Sequence, residues 1–137
     1  MNILIKFIDN INPLEPYNWV LHESCGAVNL FIGTTRNDVN ENGKIIGLSY
    51  EINEEMALEI LTKICNDALQ KFNGEKVAIF HVKNKVSYKE PCIVLAFSSP
   101  HRNDAFEACK FIMNLIKKDV PVWKREHYEN NDSKWQD

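Results

Sequence analysis

The sequence predicts an α+β fold. Short apolar runs with strand character stand at 27–33, 76–82 and 91–98, and two long stretches carry helical periodicity, about 54–72 and 104–118. The elements follow the order β-α-β-β-α-β-β-α with a short tail, the pattern of an α+β domain. With 137 residues the chain is long enough for one domain and one sizeable core. Residues 1–137 are therefore read as a single domain.

Each element has a local reason. Residues 2–8 (Asn-Ile-Leu-Ile-Lys-Phe-Ile) read as a first strand. Pro13 to His22 suits a short helix, because proline is tolerated in a first turn. Residues 27–33 form a buried strand, and 37–44, rich in Asn, Asp and Gly, a loop. Residues 45–52 alternate, with Ile46, Leu48, Tyr50 and Ile52 on one face and Gly47, Ser49 and Glu51 opposite. Asn53 is placed to cap the helix at 54–72, whose first turn holds Glu54 and Glu55. Its apolar stripe is Met56, Ile60, Ile64 and Ala68, with Ala57, Leu61 and Cys65 beside it, and Asn73-Gly74 ends it. In the last helix Asp104 and Glu107 have capping-box spacing, and Pro121 stops it by disfavouring helical geometry at Val120. Its core face is Phe106, Cys109, Met113 and Ile116. Its polar stripe is Glu107, Lys110, Asn114 and Lys117.

Composition narrows the function. The net charge is −3, yet residues 97–127 carry six Lys/Arg against four Asp/Glu, leaving ten against fifteen elsewhere. An acidic chain with one locally basic segment lacks the broad basic face that nucleic-acid binding needs. A small anionic ligand suits it better. No run of 18 apolar residues is present, and the N-terminus has no signal-peptide core or cleavage site. The four cysteines, Cys25, Cys65, Cys92 and Cys109, match no zinc spacing and read as free thiols of a cytoplasmic protein.

The basic segment holds the candidate site. His101-Arg102 precedes the last helix, where free N–H groups and the helix dipole favour an anion, although a solvated turn would look the same. Lys117 lies in the final turn, pointing away from the core, where the dipole favours a lysine whatever its role. In an extended Trp123-Lys124-Arg125-Glu126, Trp123 and Arg125 face one way and Lys124 and Glu126 the other. Lys124 beside a carboxylate is either a surface pair or a positioned acid/base. Thr34-Thr35-Arg36 sits where the strand at 27–33 enters a polar loop. His81, inside a strand, is read as a hydrogen-bonded structural residue.

These segments together resemble a known family. Gly26-Ala27-Val28, Phe31-Ile32-Gly33, Arg36-Asn37, Tyr50-Glu51 and Met56-Ala57 match its blocks. So do His101-Arg102, Ala105-Phe106-Glu107-Ala108, Phe111-Ile112-Met113, Lys117 and Pro121-Val122-Trp123-Lys124-Arg125-Glu126. The chain, from about residue 25 to Trp135, is similar to the large, catalytic subunit of molybdopterin synthase.

The resemblance implies an α+β fold of the α/β-hammerhead type, with a mixed or antiparallel sheet, two long helices and a short N-terminal helix. It implies a sulfurtransferase of molybdenum cofactor biosynthesis, acting on cyclic pyranopterin monophosphate and forming the dithiolene of molybdopterin. The sulfur donor is a small ubiquitin-like subunit whose C-terminal Gly-Gly carries a thiocarboxylate. The assembly is a dimer of large subunits with a small subunit at each end, and the transfer needs no cofactor or metal. The resemblance assigns Lys117 to the reacting centre and Lys124 to its support. It assigns Thr34, Thr35, Arg36, His101, Arg102, Arg125 and Glu126 to substrate binding. The residue types suit that chemistry. Arg36, His101 and Arg102 can hold a phosphate ester, and an ammonium can stabilise the negative charge of acyl-transfer intermediates or move protons. A non-catalytic homologue that binds a ubiquitin-like protein or a phosphorylated ligand is the alternative.

The chain departs from the family at Val82, Lys83 and Asn84, at Asn53, and at Ser87-Tyr88-Lys89-Glu90, where a glycine is common. These departures bear on turn geometry and leave the catalytic set intact.

Overall fold

The computed structural model describes residues 1–130 and 132–135. The elements run β1 (Ile3–Ile8), α1 (Leu14–Val20), β2 (Ala27–Thr34), β3 (Val39–Asn40), β4 (Gly43–Ile52), α2 (Glu54–Lys71), β5 (Lys76–Val82), β6 (Lys85–Ser87), β7 (Pro91–Ser99), α3 (Arg102–Asp119), β8 (Val122–Tyr128) and β9 (Ser133–Trp135). The class is α+β, with two long helices and a short N-terminal one, as expected.

Two sheets share the chain. The first has the order β1-β5-β7-β2, with β1 parallel to β5 and the other pairs antiparallel. The second has the order β3-β4-β8-β9, and β6 also pairs with β4. One face of the first sheet packs under α2 and α3 through Val77, Ile79, Leu95 and Phe97. Phe80, Val82 and Val94 form a second core with Val20 of α1 and Leu48, Tyr50 and Val86 of the second sheet. No helix among the described residues is long and apolar enough to cross a membrane.

Asn53 caps α2, its side chain accepting from the Met56 N–H at 3.2 Å. Gly74 follows the helix, and its N–H bonds the Leu69 carbonyl at 2.9 Å. A Cβ there would come within 2.2 Å of Phe97 Cζ, so glycine is required by packing. All four cysteines are free. Burial pushes Cys65 up to about 12 and Cys109 up to about 11, which makes both poor nucleophiles.

Several expectations need correction. The 37–44 loop contains β3, the outer strand of a tight hairpin with β4. The β4–β8 ladder shifts register between Ile45 and Gly47, so Ile45, rather than Ile46, is buried. Met56 is exposed and the buried face of α2 is Ala57, Leu61, Ile64, Cys65, Ala68 and Leu69. The last helix begins at Arg102, two residues early, which puts Asp104 inside the first turn; its N-cap is His101, with no side-chain cap bond. Its core face is also rotated. Ala105, Ala108, Cys109, Ile112 and Ile116 are buried, Met113 is half-buried, and Phe106 is 56% exposed. The small residues let α3 lie close on the first sheet, where Cys109 Sγ meets the Asn29 carbonyl at 3.8 Å.

Candidate functional site

Tertiary pairing makes a cavity at the seam of the two sheets. Thr34, Thr35, Arg36 and Asp38 come from the end of β2, Ile45 and Leu48 from β4, and Lys124 and Glu126 from β8. It encloses about 310 Å³. Lys124 and Glu126 share its wall because β8 is extended and alternates, as the sequence suggested.

Two cations and one orphan donor mark the cavity. Arg36 is exposed and pairs with Asp38 at 3.2 Å. Lys124 stands opposite Tyr50 in the ladder, with Nζ 6.0 Å from the ring centre. Thr35 is 4% exposed, and its hydroxyl has no hydrogen-bond partner among the described residues. An unsatisfied buried hydroxyl is costly, and a ligand in the cavity would satisfy it. Its backbone is fixed, since its carbonyl accepts from the Lys89 N–H at 2.9 Å.

Glu126 is half-buried and accepts from the Tyr128 hydroxyl at 3.4 Å. It also borders a neighbouring cleft of about 650 Å³, with Asn40, Tyr128, Lys134 and Trp135. Arg125 lies on the other side of β8. Its guanidinium stacks 4.1 Å from the Trp135 ring centre, and Arg125 and Trp135 are register partners in the β8–β9 ladder. Arg125 therefore does not line the cavity that holds Lys124 and Glu126.

Lys117 is exposed in the last turn of α3 and is also absent from the cavity wall. His101 and Arg102 are exposed at the start of α3. They follow Ser99, which pairs with Ala27, whereas Thr34 pairs with Pro91. The histidine–arginine pair and the Thr34–Arg36 segment thus lie at opposite ends of β2, roughly 23 Å apart at about 3.3 Å per residue. One chain does not bring them together.

Below the cavity lies a polar cluster that sequence reasoning did not assign to the site. Tyr50 is buried, and Cys92 packs against the same core. The ring of His81 meets it edge-on, 4.9 Å between centres. His81 is buried and bonds the Val82 carbonyl at 2.7 Å, in line with its reading as a structural histidine. Burial and the nearby Lys124 charge hold it below the ordinary histidine range. The alternation of β4 pointed Tyr50 inward, but no spacing in the sequence tied it to Cys92 or His81.

Comparison with known proteins agrees with the geometry. The MoaE protein family model matches residues 9–119. The chain is 40% identical over 141 residues to molybdopterin synthase catalytic subunit 1 of Aedes aegypti, covering 100% of this chain and 90% of that one. It is 38% identical over 126 residues to the molybdopterin synthase catalytic subunit of Thermoplasma volcanium, covering 92% and 91%. A crystal structure of molybdopterin synthase from Staphylococcus aureus superposes with a TM-score of 0.87 at 32% identity, covering 99% of this chain and 96% of the other.

Proposed function

The chain belongs to the MoaE protein family, and from that premise we propose that it is the catalytic subunit of a molybdopterin synthase, transferring sulfur to cyclic pyranopterin monophosphate. The observation that carries this reading is the cavity itself, where Lys124 and Arg36 face a ligand space that also holds the unpartnered Thr35 hydroxyl. A phosphorylated, hydroxyl-rich substrate meets both needs.

A protein of the kind called a catalytic subunit works with another subunit. The partner is the small ubiquitin-like sulfur carrier, whose C-terminal Gly-Gly thiocarboxylate enters the site. The 650 Å³ cleft that shares Glu126 with the Lys124 cavity offers the tail a path. The thiocarboxylate sulfur attacks a substrate carbon and forms a carbon–sulfur bond while that carbon's bond to oxygen breaks and the oxygen leaves with a proton. The partner's acyl group is then held to the substrate as a thioester. Water cleaves the acyl–sulfur bond, leaving sulfur on the pterin and a carboxylate on the partner. Lys124 stabilises the oxyanion that develops in the acyl step, and Lys117, outside the cavity wall of its own chain, has the role at the reacting centre that the family resemblance gives it. Thr34, Thr35 and Arg36 hold the substrate. Glu126 orients Lys124, and Arg125 locks β9 beside the entry cleft by stacking on Trp135. Free thiols fit work in a reducing cytoplasm.

A second copy completes the anion seat. β2 is an edge strand with exposed Phe31 and Ile32, and Phe106 of α3 is exposed beside it. Antiparallel pairing of β2 with its counterpart, centred near Leu30 and Phe31, would bring His101 and Arg102 of one copy beside Thr34–Arg36 of the other. The dimer of large subunits that the family forms is in keeping with this.

The test is reconstitution with a thiocarboxylated small subunit and cyclic pyranopterin monophosphate, scored for molybdopterin. Product from the wild-type chain, lost in Lys117→Ala and Lys124→Ala, is expected. No product from wild type, or full activity in both variants, would overturn the assignment, and binding without product would mark a non-catalytic homologue.

A further inference from the structure

We propose that Glu90 is a positioning residue for the substrate cavity: its carboxylate closes the turn at 87–90, and that turn clasps the β4 wall of the cavity to the Thr35 wall. Glu90 is exposed and does not itself line the cavity. This rests on the functional reading of that cavity given above.

The turn sits where the chain leaves the second sheet for the first, between β6 and β7. The Glu90 N–H bonds the Ser87 carbonyl at 3.3 Å, and Lys89 alone among the four residues has a positive φ, as in a type II turn. All four amides of the turn are used. The Ser87 N–H donates to the Glu90 carboxylate, Oε1, at 2.8 Å. The Tyr88 N–H donates to the Ile46 carbonyl at 3.1 Å, and the Lys89 N–H to the Thr35 carbonyl at 2.9 Å. Two bonds therefore close the turn on itself. The other two reach out, one to each wall.

Both walls are bulged beside the turn. Ile46 is the extra residue of β4 against β8, since Ile45 pairs with Tyr128 and Gly47 with His127. Cys92 is the extra residue of β7 against β2, since Gly33 pairs with Ile93 and Thr34 with Pro91. A bulge disrupts the ladder locally, so each wall needs an anchor from outside its own ladder, and the turn gives one to both. The strand that leads into the turn is seated tightly. A Cβ at Gly47 would come within 2.5 Å of the Val86 carbonyl oxygen, so β6 lies closer to β4 than a side chain there would allow.

The clasp accounts for the orphan hydroxyl. Thr35 lies one residue past the last β2–β7 pair, and Lys89 holds its carbonyl there. An unpaired buried group persists only where the surroundings over-determine its place. Thr35 is pinned through its main chain, so its hydroxyl stays unpartnered among the described residues and is kept for a ligand. Opening the turn lets Thr35 shift and blunts that seat.

Amide hydrogen exchange tests the clasp without any substrate. Glu90→Ala should speed exchange at Tyr88 and Lys89 roughly two- to tenfold, the span of one hydrogen bond. Glu90→Gln, which keeps an oxygen acceptor without the charge, should stay near wild type. In the synthase assay Glu90→Ala should raise KM for cyclic pyranopterin monophosphate by a similar factor and leave kcat nearly unchanged, the mark of a contact made alike in ground and transition states. In a Thr35→Val background Glu90→Ala should raise KM no further, because the hydroxyl it positions is gone. Unchanged exchange at Tyr88 and Lys89 in Glu90→Ala, or a Glu90→Gln as impaired as Glu90→Ala, overturns the clasp whatever reaction the protein performs. Faster exchange with unchanged KM, or the same rise in KM with and without the Thr35 hydroxyl, overturns its role at the site. Should wild type make no molybdopterin, the functional reading fails and the exchange response alone decides the clasp.

Discussion

Lys124 stands directly across from Tyr50 in the β4–β8 ladder, its ammonium 6.0 Å from the centre of a fully packed aromatic ring. The lysine is exposed while the ring is 4% exposed, so a mobile charge has a rigid floor. Lys124→Ala should lower molybdopterin formation by on the order of 100-fold, the scale of losing one positioned charge in an acyl-transfer step. Lys118→Ala, an exposed neighbour of Lys117, serves as the control and should keep wild-type rates.

Thr35 separates function from stability. Its buried hydroxyl has no partner among the described residues, so Thr35→Val should raise folding stability by about 1 kcal/mol in a urea titration. The same change should raise KM for the pterin. A variant that is less stable and binds normally would show that the hydroxyl serves the fold.

A mixed dimer tests which copy supplies the anion seat. Arg102→Ala and Lys124→Ala homodimers should both be inactive. If His101 and Arg102 serve the neighbouring copy, a mixed dimer recovers one intact site and about half of wild-type activity. If they serve their own copy, it recovers none. Calorimetry on Arg102→Ala should show weaker pterin binding with little change for the small subunit.

Lys89 occupies the turn between β6 and β7, and its φ is +72°. A side chain in that left-handed region costs roughly 1 kcal/mol or more. Lys89→Gly should therefore raise the melting temperature, provided its N–H keeps the bond to the Thr35 carbonyl.

Stability should fall in mild acid. His81 has its folded pKa lowered, first by burial and then by the Lys124 charge. The unfolded chain binds the proton more readily, so the contribution is full above about 6.5 and is lost as pH falls from there toward the folded value. His127, lowered mainly by burial, adds in the same direction. Thermal melts from pH 7.5 to 5 should show this decline, and His81→Gln should flatten it.

The sequence carried the elements well where one local signal dominates. Asn53 capped α2 as read, Asn73-Gly74 ended it, and the strands at 76–82 and 91–98 formed with small boundary changes. It misjudged which helical face packs. Met56 and Phe106 fit an apolar stripe by spacing, yet both are exposed, because the sheet selects the alanine-rich face that allows close approach. It also missed β3, β6 and β9, short strands that exist only by pairing with a partner strand.

By itself the sequence determined the α+β class, the basic segment in an acidic chain, and the family, through the His101-Arg102 and Trp123–Glu126 blocks. Those depend on residue type and near-neighbour spacing. Only the tertiary structure decided which residues share a cavity. Lys124 and Thr35 are 89 positions apart and meet because β8 pairs with β4, β2 pairs with β7, and the turn between β6 and β7 bonds both Ile46 of β4 and Thr35. Arg125, one residue from Lys124, is turned away by the pleat of β8. A single extra residue at Cys92 brings its thiol within 3.3 Å of the Gly33 carbonyl, and bulge geometry is fixed by the pairing of two strands rather than by either strand's own residues.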